Sequence, residues 1–149
     1  MNADRQITLT RLIAAPAAVV WRCWTDPAMI TQWFGPQGFS CQTKQIDLRV
    51  GGQWRFDMVA PDGTVFANRH RYDVMQPASR IEFRMDADHD ADDPIFVVVT
   101  LEAEGPGCRI TQVMTLPTVA RRDEAVGFGA EVLGLQTLAK LAAMAEARP

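Results

Sequence analysis

Asn68, His70 and Tyr72 stand at alternate positions in the run Val65 to Met75, the spacing at which side chains of one strand share a face. Phe66 and Val74 fall on that face too, whereas Arg69, Arg71 and Asp73 fall on the other and are expected to face water. In the preceding run, Trp54, Phe56 and Met58 alternate with Gln53, Arg55 and Asp57, which places a second apolar row beside the first. An aromatic wall with a few polar tips suits an amphipathic small molecule, because apolar surface supplies burial and sparse polar groups fix orientation. His70 has the intrinsic pKa for proton transfer, but nothing in the sequence sets a carboxylate beside it. Three roles stay open for it: a hydrogen-bonded structural residue, a ligand hydrogen bond, or a general acid or base. Gln112 and Arg11 are further inward candidates. No residue is assigned a catalytic role, and a noncatalytic binding function leads.

Other chemistries lack their residues. The acidic tract from Asp86 to Asp93 has Ala91 where a calcium loop needs glycine and Val97 where it needs the bidentate glutamate, so a solvated hairpin loop is expected. Two histidines, His70 and His89, do not make a zinc site. Ser40 and Ser79 have no nucleophile elbow. Gly51-Gly52 is a turn and not a phosphate loop, since the lysine and helix start are missing. No metal or cofactor is implied. Net charge is −3 and the 15 basic side chains are scattered, which argues against nucleic acid as a partner. Cys23, Cys41 and Cys108 form an odd set without paired spacing, as in the reducing cytoplasm. Met1 to Gln6 has no signal-peptide pattern and no apolar run reaches spanning length, so a soluble, unexported protein without membrane insertion is expected.

The elements that would carry these residues follow from periodicity. Ile7 to Ile13 alternates as a first strand. Pro16 can open a helix that Asp26-Pro27 stops, and a second short helix runs from about Pro27 to Trp33. Strands are predicted over Ser40 to Leu48, Gly52 to Val59, Val65 to Met75, Arg80 to Met85, Ile95 to Glu104 and Cys108 to Leu116, with turn residues between them. Short links make these antiparallel neighbours, an α+β arrangement in one domain over residues 1–149. Trp21, Trp24, Trp33, Phe34 and Phe39 crowd the helical connection as core or lid packing, with Trp33 and Phe34 at a cavity mouth as the alternative.

Thr118 to Ala147 reads as one long helix capped by Thr118, with Arg148 beyond its negative end. Its inward stripe carries Val126, Gly127, Ala130, Leu133, Gly134, Thr137, Leu138, Leu141, Met144 and Ala145. Bulk is missing from the first half of that stripe, at Gly127, Ala130 and Gly134. An interior glycine costs a helix about 1 kcal/mol relative to alanine, so a reason is wanted: close approach of a strand, or a cavity roofed by the smooth half. Phe128, Val132 and Leu135 lie off the stripe, as expected if the helix touches protein on a second side, for example in a homodimer.

The stretches Arg11-Leu-Ile-Ala-Ala-Pro16, Trp24-Thr-Asp-Pro27, Trp33-Phe-Gly-Pro36, Asp47-Leu-Arg-Val-Gly-Gly52 with Trp54-Arg55, Tyr72-Asp-Val-Met-Gln-Pro77 and Gly127-Phe128 resemble the START-like (SRPBCC) superfamily. The resemblance is to the group related to the C-terminal domain of the activator of Hsp90 ATPase. It implies a helix-grip fold: about seven antiparallel strands wrapped around the terminal helix, two short helices between strands one and two, and a ligand cavity between sheet and helix. Cavity residues would be Trp33, Phe34, Trp54, Phe56, Met58, Phe66, Asn68, His70, Tyr72, Gln112, Gly127, Ala130 and Gly134. It also raises a co-chaperone-like role with a chaperone partner, and a cavity enzyme of cyclase or hydrolase type, as alternatives. His70 stands where the family often has glycine and Phe128 where it often has tryptophan, so the ligand is expected to differ from that of relatives.

Overall fold

Alternation of apolar and polar residues produces seven strands in the computed structural model, which describes residues 2–147. Met1 and Arg148 lie outside the described residues. After a short 3-10 turn at Asn2–Arg5, the elements are β1 (Gln6–Ile13), α1 (Ala17–Thr25), α2 (Pro27–Trp33), β2 (Ser40–Ile46), β3 (Gln53–Val59), β4 (Val65–Gln76), β5 (Arg80–Asp86), β6 (Ile95–Glu104), β7 (Gly107–Thr115), α3 (Val119–Gly127) and α4 (Ala130–Glu146). The sheet order is β1-β7-β6-β5-β4-β3-β2. Every neighbouring pair is antiparallel. The two short helices thus connect strands at opposite edges of the sheet.

Local chemistry explains the helix ends. Asp26 caps α2 by accepting a hydrogen bond from Ala28 N–H at 2.9 Å, with Pro27 in the first turn. Thr118 caps α3 through its hydroxyl, which accepts from Arg121 N–H at 3.0 Å. One apolar face of the sheet is covered by α1, α2 and α4, and the core runs from Ile7, Leu9 and Ile13 through Val20, Trp24 and Trp33 to Leu138, Leu141, Ala142 and Ala145. Lys140 donates to the carbonyls of Gly35 and Pro36, and Glu146 accepts from Ala14 N–H, so α4 is tied to both loops flanking the short helices.

Three expectations are corrected. The terminal helix is two helices. Gly129 adopts φ +86°, a left-handed conformation, and its N–H closes a tight turn on Val126 O while its carbonyl accepts from Leu133 N–H to start α4. Gly127 and Gly129 weaken the helix within three residues, and the chain turns there. The alternation in β4 also breaks: the register shifts between Tyr72 and Val74, so Val74 pairs with Glu82 on the outer face and Met75 with Ile81 on the inner one. A bulge at Asp73 supplies the extra residue. Finally, the acidic tract is not simply a solvated loop. Asp86 is buried and accepts from Arg69 and Arg71, and Asp88 is held by Arg55 with both carboxylate oxygens near 3 Å. The outer face of β3 and β4 therefore carries an ion-pair network, with the Arg69 side chain only 11% exposed.

Candidate ligand groove

The first turns of α4 do not close against the sheet. Between them lies a groove of about 270 Å³, roofed by Ala130, Leu133, Gly134 and Thr137 and floored by Met58, Asn68, Met85, Gln112 and Met114. Phe34, Gly35 and Pro36, which follow α2, form its third wall. Pro36, Met58, Asn68 and Leu133 are shared with a wider mouth of about 460 Å³, rimmed by Phe39, Phe66 and Phe128. The floor is made by strand parity: Met58 pairs with Phe66, Met85 with His70, and Met114 with Ile7 and Val97.

Of the residues expected to form a site, Phe34, Met58, Phe66, Asn68, Gln112, Ala130 and Gly134 border this space. Trp54, Phe56, His70, Tyr72 and Trp33 point inward but lie in a ring-packed layer beside it, all buried. Trp54 stacks on Phe56 at 3.7 Å, His70 stacks on Phe83 at 4.5 Å, and the Phe34 ring stands edge-on to His70 at 5.0 Å, between it and the groove. Trp33 Nε1 donates to Cys23 O at 2.9 Å and is core, not mouth. Gly127 is a correction: it is exposed at the end of α3, none of whose residues is buried, and a Cβ there would meet nothing within 4 Å. At Gly134 both explanations of a helix glycine hold at once. A Cβ would collide with Leu9 Cδ1, yet the same backbone borders the groove.

His70 is not the hydrogen-bonded residue that its type led one to expect. Neither ring nitrogen has a partner among the described residues. Burial drives its pKa down to about 3, against a weaker opposing pull from Asp86, so the imidazole is neutral. The Tyr72 hydroxyl is likewise unpartnered, and burial raises its pKa. Neither group faces the groove as a proton donor or acceptor would have to. Met85, Met114, Leu133 and Thr137, by contrast, were not singled out as cavity residues. Their signal was inward parity on β5 and β7 and the helical stripe of α4. On the outer face a second depression of about 250 Å³ lies at Gly51, Arg71, Asp73 and Arg84, but its charges are spent on each other or on Asp86. Among the described residues, no three His, Cys, Asp or Glu side chains gather as a metal would require, and no helix is long and apolar enough to cross a membrane.

An antiparallel seven-stranded sheet gripping a C-terminal helix, with two short helices inserted after the first strand and a gap under that helix, defines a START-like helix-grip protein. The family model described as Activator of Hsp90 ATPase homolog 1-like protein matches residues 14–146, and the chain belongs to that family. Solved structures agree on the fold. A Nitrosomonas europaea protein is 24% identical, covering 98% of this chain and 97% of its own, with a TM-score of 0.85. A Chromobacterium violaceum protein is 28% identical over 93% of this chain and 96% of its own, with a TM-score of 0.80. The AHSA1 protein of Silicibacter pomeroyi is 23% identical over 93% and 95%, with a TM-score of 0.75. No curated protein matches.

Proposed function

We propose that residues 1–149 act as a single, noncatalytic START-like domain in the cytoplasm that holds a hydrophobic or amphipathic small molecule between the sheet and the first turns of α4. The observation that carries this reading is the apolar groove under Ala130 and Gly134, where small residues leave room that Leu138 and Leu141 fill further along the helix. Its size and few polar tips are those of a small-ligand site. Among the described residues no disulfide joins Cys23, Cys41 or Cys108, in keeping with a reducing compartment. The enzyme alternative loses support, since the one histidine near the groove is neutral and screened from it by Phe34.

Filling the groove should abolish binding. In Ala130→Phe the ring enters the space from the helix side, and fluorescence enhancement of aminoanthracene, a neutral apolar probe, is expected to weaken at least tenfold. Circular dichroism should stay unchanged, because Ala130 is only half-buried. Equal probe binding by both proteins would remove the groove as the site.

A second reading, an interaction module, has its own observation. Phe128, at the break before α4, and Val132 and Leu135, in its first turns, are 79%, 62% and 44% exposed, apolar surface of the kind that marks protein contacts. A homodimer, or an Hsp90-type chaperone in keeping with the family's description, would cover it. Light scattering after gel filtration is expected to give a dimer that Phe128→Ser with Val132→Ser converts to monomer. A monomeric parent that also fails to capture an Hsp90-type chaperone would leave that surface without a partner role.

A further inference from the structure

We infer that the groove selects an uncharged, flat aromatic molecule whose hydrogen-bonding group sits on the Gln112 side-chain amide, and that it rejects the carboxylate analogue of the same size. This rests on the binding reading above and specifies its ligand. The charge selection follows from the walls: neither the groove nor its mouth is bordered by an ionisable side chain. A carboxylate entering there would leave water without meeting a positive charge, and burying an ion without one is strongly disfavoured.

Lys140, His70 and Arg11 are ionisable groups on the helix-covered side of the sheet, and none of them lines these walls. Lys140 donates to Gly35 O and Pro36 O at 3.2 and 3.4 Å and borders a separate depression with Gln37 and Gln136. His70 is neutral behind the Phe34 ring. Arg11 shares the inner face of β1 with Leu9, but it does not border the groove.

The aromatic preference follows from the floor. Met58, Met85 and Met114 reach it from three different strands. Thioethers are flexible and polarisable and make favourable contacts with aromatic rings. Phe34 stands inside, and Phe39, Phe66 and Phe128 stand at the mouth. Orientation follows from which polar tip makes no hydrogen bond at all among the described residues. Asn68 Nδ2 donates to Phe66 O at 3.0 Å, and the Thr137 hydroxyl donates to Leu133 O at 3.2 Å. The Gln112 amide makes no hydrogen bond among the described residues, while its backbone is fixed between Leu9 and Val99. Its donor and acceptor are therefore free for a hydroxyl or carbonyl at the inner end of the groove.

Naphthalene, naphthol and naphthoate separate these claims when titrated against the full chain at pH 7. Naphthol should bind tightest and naphthoate at least tenfold more weakly. Gln112→Met, which keeps the side-chain length without the amide, should weaken naphthol about fivefold and leave naphthalene unchanged. Naphthoate binding as well as naphthol would overturn the charge selection and implicate Arg11, and the ratio on the unmodified chain decides this without any variant. Naphthol affinity unaltered in a folded Gln112→Met protein would overturn the orientation. If none of the three binds, the binding reading itself fails.

Discussion

Replacing His70 with phenylalanine should stabilise the protein, by an amount that grows as pH falls. At pH 7.5 the gain is expected to be about 1 kcal/mol, because the variant removes two buried nitrogens without partners and keeps a ring among Trp54, Phe56 and Phe83. Below pH 6.5 a second effect enters. The folded chain holds the imidazole neutral down to about pH 3, whereas the unfolded chain protonates it near its ordinary value of 6.5. The unfolded state then binds the extra proton, so folding stability must fall with pH across that window, at up to about 1.4 kcal/mol per pH unit. Stability is fully present above 6.5, declines below it, and stops declining from this source at about 3. By pH 4.5 the variant should lead by about 4 kcal/mol, or roughly 8–16 °C in melting temperature for a domain of this size. Urea titrations of both proteins from pH 7.5 to 4.5 measure it. Parallel pH profiles would mean that His70 is not held neutral in an apolar shell. Aminoanthracene binding should survive the change, since His70 does not border the groove.

Asp86→Ala should be among the most damaging single changes on the outer face, costing about 3 kcal/mol. Its carboxylate is fully buried and accepts from Arg69 Nε at 3.0 Å, Arg69 Nη2 at 2.8 Å, Arg71 Nη2 at 2.9 Å and Asp88 N–H at 2.9 Å. Burial alone would raise its pKa, but the hydrogen bonds from Arg69 and Asp88 N–H and the two arginine charges hold it below the usual carboxylate value. Its contribution is therefore present above pH 4 and lost in stronger acid, at and below the lower end of the window that His70 governs. Removing it leaves Arg69 largely buried beside a missing partner. Asp90 is the internal control. It also binds Arg69, at 2.8 Å, but its side chain is 91% exposed, so Asp90→Ala should leave stability nearly unchanged. Similar losses for the two variants would show that burial does not set the value of these pairs.

The contrast between neighbouring strands shows how far sequence reasoning carries. Parity put Trp54, Phe56 and Met58 on one face of β3 and Asn68, His70 and Tyr72 on one face of β4, and the sheet has them there. A one-residue bulge at Asp73 was invisible to parity, so Val74 was assigned to the wrong face. The helix after Thr118 was legible as helix, but its pattern reads as continuous through Gly129. The φ of +86° there breaks it, and Gly127 stands exposed, outside the site.

Legible from the residues alone were quantities set locally: the order of the strands and of the first two helices, the inward rows on β1 and β3, the cap at Thr118, and a family resemblance spread over most of the chain. What the tertiary structure decided depends on which rows meet. His70 and Asn68 are two residues apart on the same face of β4, yet one is sealed among the rings of Phe34, Trp54, Phe56 and Phe83 and the other borders the groove. Charged Asp86 and Asp88, which composition assigns to water, become anchors once β3 and β4 bring Arg55, Arg69 and Arg71 within 3 Å or so of them. Periodicity fixes the direction of a side chain, while its neighbours are fixed by contacts between distant parts of the chain, and burial, pKa and ligand access all follow from those neighbours.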